Sequence, residues 1–227
     1  MSENTPRSAG PNEAYGCDTE DLLLIHAVFR NAFGRASGLI ETADASGPAR
    51  VKLIADHLKE GLKALHDHHS HEDILWWELL KQRAPESTAD VERMQRHHAE
   101  IAVMIDRLNV LTDAWQRDPQ KKEALQIAFN EFKTALFTHL DDEEANIKPV
   151  AGRVLTQKEW NKAREIGTDE VPRDRLLFQI GYMLRCAPTE ALRQEFWHAM
   201  PAFVRLLYNL LGKRKFEAEW QELYGEG

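Results

Sequence analysis

The apolar residues of this chain recur at three- and four-residue intervals through four long segments that glycine and proline separate. That spacing is typical of amphipathic helices, and none of these segments shows the polar and apolar alternation of a strand. The pattern predicts helices over about residues 18–43, 48–83, 87–114 and 120–148, the last of which Pro149 should end. Four long helices joined by short polar loops predict an all-α protein with an up-down-up-down four-helix bundle.

The segments on either side of the bundle differ from it in composition. Residues 1–17 are polar and rich in turn-forming residues, so we expect a disordered N-terminal tail before a bundle of residues 18–152. Residues 153–227 contain shorter helical patches, among them the apolar RDRLLFQIGYMLRC and AFVRLLYNLL. Such patches need a surface to cover them, which predicts a C-terminal helical extension packed on the bundle.

The net charge and the cysteine content indicate which partners and which cellular compartment to expect. A formal charge of -8 provides no basic surface for a phosphate backbone, so we expect no nucleic-acid partner. No apolar run approaches the length of a membrane span, and the N-terminus lacks the apolar core of a signal peptide. Cys17 and Cys186 lie far apart and form no CxxC pair, which fits a reducing, cytoplasmic location.

Histidine is concentrated in the second predicted helix, where residues 66–73 read HDHHSHED. Each residue of an α-helix is rotated by roughly 100° from the one before it, so side-chain directions can be compared with the apolar stripe. On this basis Glu72 and His69 lie inside the stripe, and His68 lies at its edge. His71 lies roughly 130° from the centre of the stripe, and we expect it to face solvent.

The other three bundle helices also place histidine on their apolar faces. His26 lies in line with the apolar residues of the first helix, and His98 with those of the third. In the fourth helix His139 and Glu143 belong to the stripe, whereas Glu144 points aside. The remaining histidines of these helices are expected to lie at the surface or around the metal ligands, and not to bind the metal themselves. They are His57, His66, His71 and His97.

Five histidines and two glutamates directed into one bundle interior would carry a severe desolvation penalty unless something compensates for it. A bound cation provides that compensation, because it selects the neutral imidazole and the ionised carboxylate. Seven ligands exceed the needs of one tetrahedral zinc, whereas two ions that share the carboxylates would use them all, and this donor set favours iron. The predicted ligands of two iron ions are His26, His68, His69, Glu72, His98, His139 and Glu143.

The motifs around these residues resemble those of the hemerythrin family, in particular its bacterial cation-binding members. The similarity covers about residues 18–152 and rests on HHSHED at 68–73, RHHAEI at 96–101 and HLDDEE at 139–144, in that order and at that spacing. The resemblance implies a four-helix bundle that holds two iron ions bridged by carboxylates and by an oxo or hydroxo group.

The family's metal ligands carry over residue by residue. The resemblance implies that the first iron takes His26 and His68 and the second takes His69, His98 and His139, with Glu72 and Glu143 as bridges. The chain departs from the hemerythrins of oxygen transport at two places. Ala102 stands where the third helix would carry a second histidine, and the last carboxylate follows His139 by four residues instead of five. His69 can replace the missing histidine.

Several functions are compatible with such a centre. We expect a non-haem diiron protein that binds dioxygen, nitric oxide or peroxide for sensing, storage or detoxification, because its ligands are mostly histidine. Ferritin-like oxidases use mostly carboxylates from paired ExxH motifs, which disfavours an oxidase but leaves peroxidase- or catalase-like turnover open. A further alternative is iron storage or an iron-dependent interaction module in which the C-terminal extension meets a protein partner.

Overall fold

A computed structural model of the chain describes residues 14–43 and 47–225. Within these ranges the secondary structure is helical, with no β-strand and only an isolated bridge between Gly16 and Thr156, so the predicted all-α fold is confirmed. Most of the predicted N-terminal tail, residues 1–13, lies outside the described residues. No helix in the described part of the chain is both long and apolar enough to cross a membrane.

Four long helices surround one core. The bundle segment forms α1 (Asp21–Ala43), α2 (Pro48–Leu75), α3 (Trp77–Arg83), α4 (Thr88–Arg117), α5 (Lys122–Asp142) and α6 (Lys148–Val154). α1 packs against α2 and α5, and α4 packs against the same two helices, as an up-down-up-down order requires. The predicted helix ends agree with these bounds to within three residues, except at the end of the fourth helix.

The second predicted helix is interrupted at one residue, which corrects the prediction of an unbroken helix over residues 48–83. Trp76 has φ −115° and ψ −39°, and α3 begins directly after it. The backbone hydrogen bonds continue across this break, so α2 and α3 share one direction. Trp76 and Trp77 are both buried, and Trp76 stacks on Trp160 with ring centroids 4.3 Å apart. Burial of two adjacent indoles on different sides of one helix accompanies the irregular turn.

The prediction that Pro149 ends the fourth helix is wrong. At Asp142, α5 passes into a π-helical turn, Glu143–Ile147, and α6 follows directly. Pro149 lies in the first turn of α6, directly after the π-helical turn, and the helix continues through it to Val154. Turns of this kind are frequent at functional sites, and here the turn begins at a predicted metal ligand.

The C-terminal segment is a set of shorter helices that contact the bundle. They are α7 (Gln157–Glu170), α8 (Leu176–Cys186), α9 (Glu190–Ala199), α10 (Ala202–Leu207) and α11 (Lys213–Tyr224). α7 packs along α2, α8 and α9 contact α1, and α11 packs on α8. Phe178, Tyr182, Phe216 and Trp220 join the same hydrophobic cluster as the bundle core. These contacts bury much of the first apolar patch, including Phe178, Ile180 and Tyr182. The expected cover of the second patch is not found in the described chain, because Phe203, Leu206, Leu207, Leu210 and Leu211 are exposed and only its Tyr208 is buried.

Candidate metal centre

The predicted ligands lie between two apolar clusters of the bundle interior. One cluster includes Phe33 and Leu62, and the other includes Leu22 and Trp77. In α1, α2 and α4 the predicted ligands fall between the residues that contribute to these two clusters, and Glu143 lies in the same way between Leu140 and Ile147. Hydrocarbon therefore borders the site on both sides, and in such a low-dielectric setting an unpaired charge is costly and an ion–ligand attraction is strong.

The histidines fall into two groups. In the first, His69, His98 and His139 bring ring nitrogens within 4.8 Å of one another; in the second, the same limit holds for His26, His68 and Glu143. The rings of His69 and His98 stack with centroids 4.1 Å apart, and His139 stands edge-on to His69 at 4.7 Å. Each group has the size and donor types to hold one metal ion.

Each glutamate approaches histidines of both groups. Glu72 Oε1 lies 3.2 Å from His68 Nε2, and Glu72 Oε2 lies 3.5 Å from His98 Nε2. Glu143 Oε2 lies 3.4 Å from His26 Nε2 and 3.7 Å from His139 Nε2. Ligand atoms that share an ion at about 2.1 Å stand about 3–3.5 Å apart, so three of these separations are close to that spacing and the fourth slightly exceeds it.

Within the described part of the chain, the atoms that face the interior of this site have no hydrogen-bond partner. The Nε2 atoms of all five histidines and both carboxylate oxygens of Glu72 and Glu143 are buried and unpaired. A buried polar group without a partner costs about 1–3 kcal/mol, more for a charged one, so a cluster of such atoms needs a compensating ligand. Neutral ring nitrogens and carboxylate oxygens are ligands of transition metals, and the residues therefore fit a metal centre.

Burial and mutual charge perturb the ionisation of the site. Burial lowers the pKa of His68 and His69 well below the usual range and that of His139 to about 3. Burial and the charge of Glu143 raise the pKa of Glu72 far above its usual range.

His26 and Glu143 form the exception in this interior. Burial opposes charge on both, but their mutual attraction across 3.4 Å outweighs it, with Glu144 also acting on His26, so the pKa of His26 is raised and that of Glu143 is lowered. A cation that binds here would displace protons from Glu72 and His26, because metal ligands must be deprotonated.

Two further carboxylates contact the predicted ligands, although the helical pattern did not indicate either of them as part of the site. Asp73 Oδ1 lies 2.8 Å from His98 Nδ1, and Glu144 Oε1 lies 2.8 Å from His26 Nδ1. Each follows directly after a predicted bridging glutamate, a signal present in the sequence as the ED and EE pairs. Their side chains turn outward from the core face and reach histidines on neighbouring helices.

The prediction that His71 faces solvent is wrong. Its side chain is only 12% exposed, and its Nε2 lies 3.2 Å from Glu170 Oε2 of α7. His97 is half-buried, and its ring stands edge-on to His139 at 5.9 Å. His57 lies neither at the surface nor beside the site but is buried against the C-terminal helices. The apolar period of α2 could not predict that His57 and His71 are covered, because helices distant in the sequence cover them.

The chain is a helical bundle protein with an interior suited to metal cations. Its four long helices hold two groups of ligand atoms, and two glutamates approach both groups. The model of the hemerythrin HHE cation-binding domain matches residues 17–151. This match covers more than half of the chain, and the chain therefore belongs to the hemerythrin HHE cation-binding family, which confirms the resemblance. No curated protein and no solved structure matches the chain significantly.

Proposed function

We propose that the protein holds two iron ions and binds dioxygen, nitric oxide or peroxide for sensing, storage or detoxification. The observation that carries this proposal is the set of five ring nitrogens and four carboxylate oxygens that are buried without hydrogen-bond partners. They form two groups, and Glu72 and Glu143 each approach both. One ion would leave part of this set uncompensated, whereas two ions with shared carboxylates would use all of it.

The number of ligand atoms leaves space for an external ligand. Two six-coordinate ions offer about twelve positions, of which five nitrogens and four oxygens from the chain would fill about nine. A bridge derived from solvent would take two more, so about one position stays open. Iron in such a centre supplies reversible redox chemistry and affinity for small diatomic ligands. The chain itself supplies orientation, charge and the exclusion of water.

The surroundings of the site favour small ligands over large ones. Phe29 covers His68 with ring centroids 5.4 Å apart, and the His68 side chain is only 15% exposed. A groove of about 510 Å³ between α4 and α5 is lined by His97, whose ring stands edge-on to that of His139 at 5.9 Å. We propose this groove as the route by which a small neutral molecule approaches the site.

We also place the protein in a reducing compartment, the cytoplasm. Cys17 and Cys186 are both free thiols in the described part of the chain. Burial raises the pKa of Cys17 to about 11 and that of Cys186 to about 12, so both thiols are protonated and weakly reactive at neutral pH.

The proposal is tested by anaerobic iron loading followed by metal analysis and absorption spectra after addition of dioxygen, peroxide or nitric oxide. We expect close to two irons per chain and a stable, reversible adduct with at least one of the three. Rapid loss of peroxide over many turnovers would instead show an enzyme, and indifference to all three would show storage or a structural role. If metal analysis finds one zinc and no iron after expression with iron supplied, the proposal of a diiron centre is contradicted.

A matched pair of variants tests which histidines of α2 hold the metal. His69→Ala should reduce the iron content, because its Nε2 is buried, unpaired and grouped with His98 and His139. His71→Ala should leave the iron content unchanged, because His71 contacts Glu170 outside the site. An equal loss of iron in the two variants would contradict this assignment.

A further inference from the structure

We propose that Asp73 and Glu144 are positioning residues for His98 and His26, and that Arg30 adds a difference of charge between two metal positions that already differ in their number of histidines. The statement about the two positions rests on the proposed function, because it requires two bound ions. The statement about orientation concerns contacts within the chain and can be tested without metal.

The first contact fixes the ring of His98. Its Nδ1 lies 2.8 Å from Asp73 Oδ1, and the same oxygen accepts a hydrogen bond of 2.5 Å from Trp77 Nε1. Trp77 is completely buried, so packing holds the indole and the indole holds the carboxylate. A neutral imidazole that donates through Nδ1 must present the lone pair of Nε2, and this atom faces Glu72 at 3.5 Å.

The second contact has the same form around His26. Its Nδ1 lies 2.8 Å from Glu144 Oε1, and its Nε2 faces Glu143 at 3.4 Å. Here, however, the carboxylate oxygen accepts a hydrogen bond of 2.9 Å from Arg30, a cation. Arg30 also contacts Asp141, whose side chain is 75% exposed and therefore screened by water.

Asp73 and Glu144 thus differ in the charge of the group that donates a hydrogen bond to each. Asp73 is held by a neutral indole, whereas Glu144 is held by a guanidinium that offsets its charge. A carboxylate that accepts from the N–H of a metal-bound imidazole increases the basicity of the ligand and favours the higher charge of the metal. Solvent screens Asp73, whose side chain is 43% exposed, but a guanidinium in direct contact neutralises Glu144 more completely.

The consequence is an order of reduction between the two ions. The ion held by His69, His98 and His139 should keep its higher oxidation state longer, because Asp73 retains its charge. The ion held by His26 and His68 should accept an electron first, because Arg30 offsets Glu144. An external reductant supplies one electron to each ion in turn, and no bond within the chain is made or broken.

The experiment is a potentiometric titration of the iron-loaded full chain, with both reduction steps followed by absorption. Asp73→Asn should raise the potential of the second reduction step, and Glu144→Gln should raise that of the first by less. Arg30→Gln should shift the first step downward, because it exposes the charge of Glu144. Equal upward shifts for Asp73→Asn and Glu144→Gln, or no downward shift for Arg30→Gln, would overturn the inequivalence.

A second measurement tests orientation in the metal-free chain. Imidazole nitrogen chemical shifts should show His98 in the form protonated at Nδ1. Asp73→Ala should abolish this preference, whereas Asp73→Asn should retain it, because an amide oxygen still accepts from Nδ1. The same tautomer mixture in all three proteins would overturn the positioning role. If the wild-type chain binds fewer than two irons, the proposed function and the inequivalence fail together, while this measurement still decides the orientation.

Discussion

The helix α2 carries buried histidines in two different settings. His69 is 5% exposed, and its Nε2 has no hydrogen-bond partner among the described residues. His57, about three turns earlier in the same helix, is 8% exposed, and its Nε2 lies 2.8 Å from the hydroxyl of Tyr224. Burial is therefore almost the same in the two places, and the presence of a partner differs. Lack of a partner, rather than burial, distinguishes the histidines suited to a metal.

The setting of His57 is a complete polar network built by the C-terminal helices. The hydroxyl of Tyr224 lies 2.6 Å from that of Tyr182, and Tyr182 donates to Asn31 Oδ1 at 3.1 Å. Burial lowers the pKa of His57 to about 4, so the imidazole is neutral at pH 7 and needs no counter-ion. This network connects α1, α2, α8 and α11 by hydrogen bonds. It offers an internal reference against which effects at the metal centre can be measured.

The largest difference between the two settings is expected when a shared carboxylate is changed. Glu72→Gln retains the size of the side chain but removes a charge and one bond to each ion, so iron content should fall from about two per chain to below one. His26→Ala removes a single terminal ligand that water can replace, and it should retain more iron. The iron content of the two purified variants is measured side by side. If Glu72→Gln retains two irons per chain while His26→Ala loses iron, Glu72 does not bridge the two ions.

Removal of iron should weaken the metal centre and leave the His57 network in place. A ligand present at a hundredfold excess over its dissociation constant adds about 2.7 kcal/mol to the free energy of unfolding, so the chelated protein should melt at a lower temperature. Near-ultraviolet circular dichroism of Tyr182 and Tyr224 should change little before the transition. A melting temperature independent of iron would show that the unpaired atoms have another partner.

In the metal-free protein, His57 is expected to contribute to the dependence of stability on pH. The pKa of His57 is about 4 in the folded chain and near 6.5 in the unfolded chain. Between these values the unfolded chain binds a proton that the folded chain does not, so the free energy of unfolding should fall as the pH decreases from 6.5 to 4. His57→Gln should reduce this slope. Parallel slopes for the two metal-free proteins in urea titrations would contradict the buried neutral imidazole.

The smallest effect is expected for Tyr224→Phe. This change removes one hydroxyl that contacts His57 and Tyr182, and it should cost about 1 kcal/mol of unfolding free energy without changing iron content. Phe216→Leu, in the same cluster but outside the network, serves as a control for packing alone. Iron loss in Tyr224→Phe would show that the network and the metal centre are coupled.

The sequence alone determined the features that depend on local helical geometry. An α-helix advances by roughly 100° per residue, so the apolar stripe also fixes the direction of every histidine in the same helix. That argument directed His69, Glu72, His98, His139 and Glu143 to the interior, and all are buried in the structure. The all-α fold followed from the same pattern, whereas the family followed from the resemblance of the motifs at 68–73, 96–101 and 139–144. The assignment of these residues as iron ligands stays a prediction.

The tertiary structure decided everything that depends on which distant segments meet. The C-terminal helices cover His71 and His57, and no period within α2 encodes that cover. Asp73 and Glu144 point away from the stripe of their own helices and gain their roles from His98 and His26 on neighbouring ones. The break at Trp76 and the π-helical turn after Asp142 likewise have no signal in the period of the helices, and buried side chains lie at both, Trp76 and Trp77 at the first and Glu143 at the second.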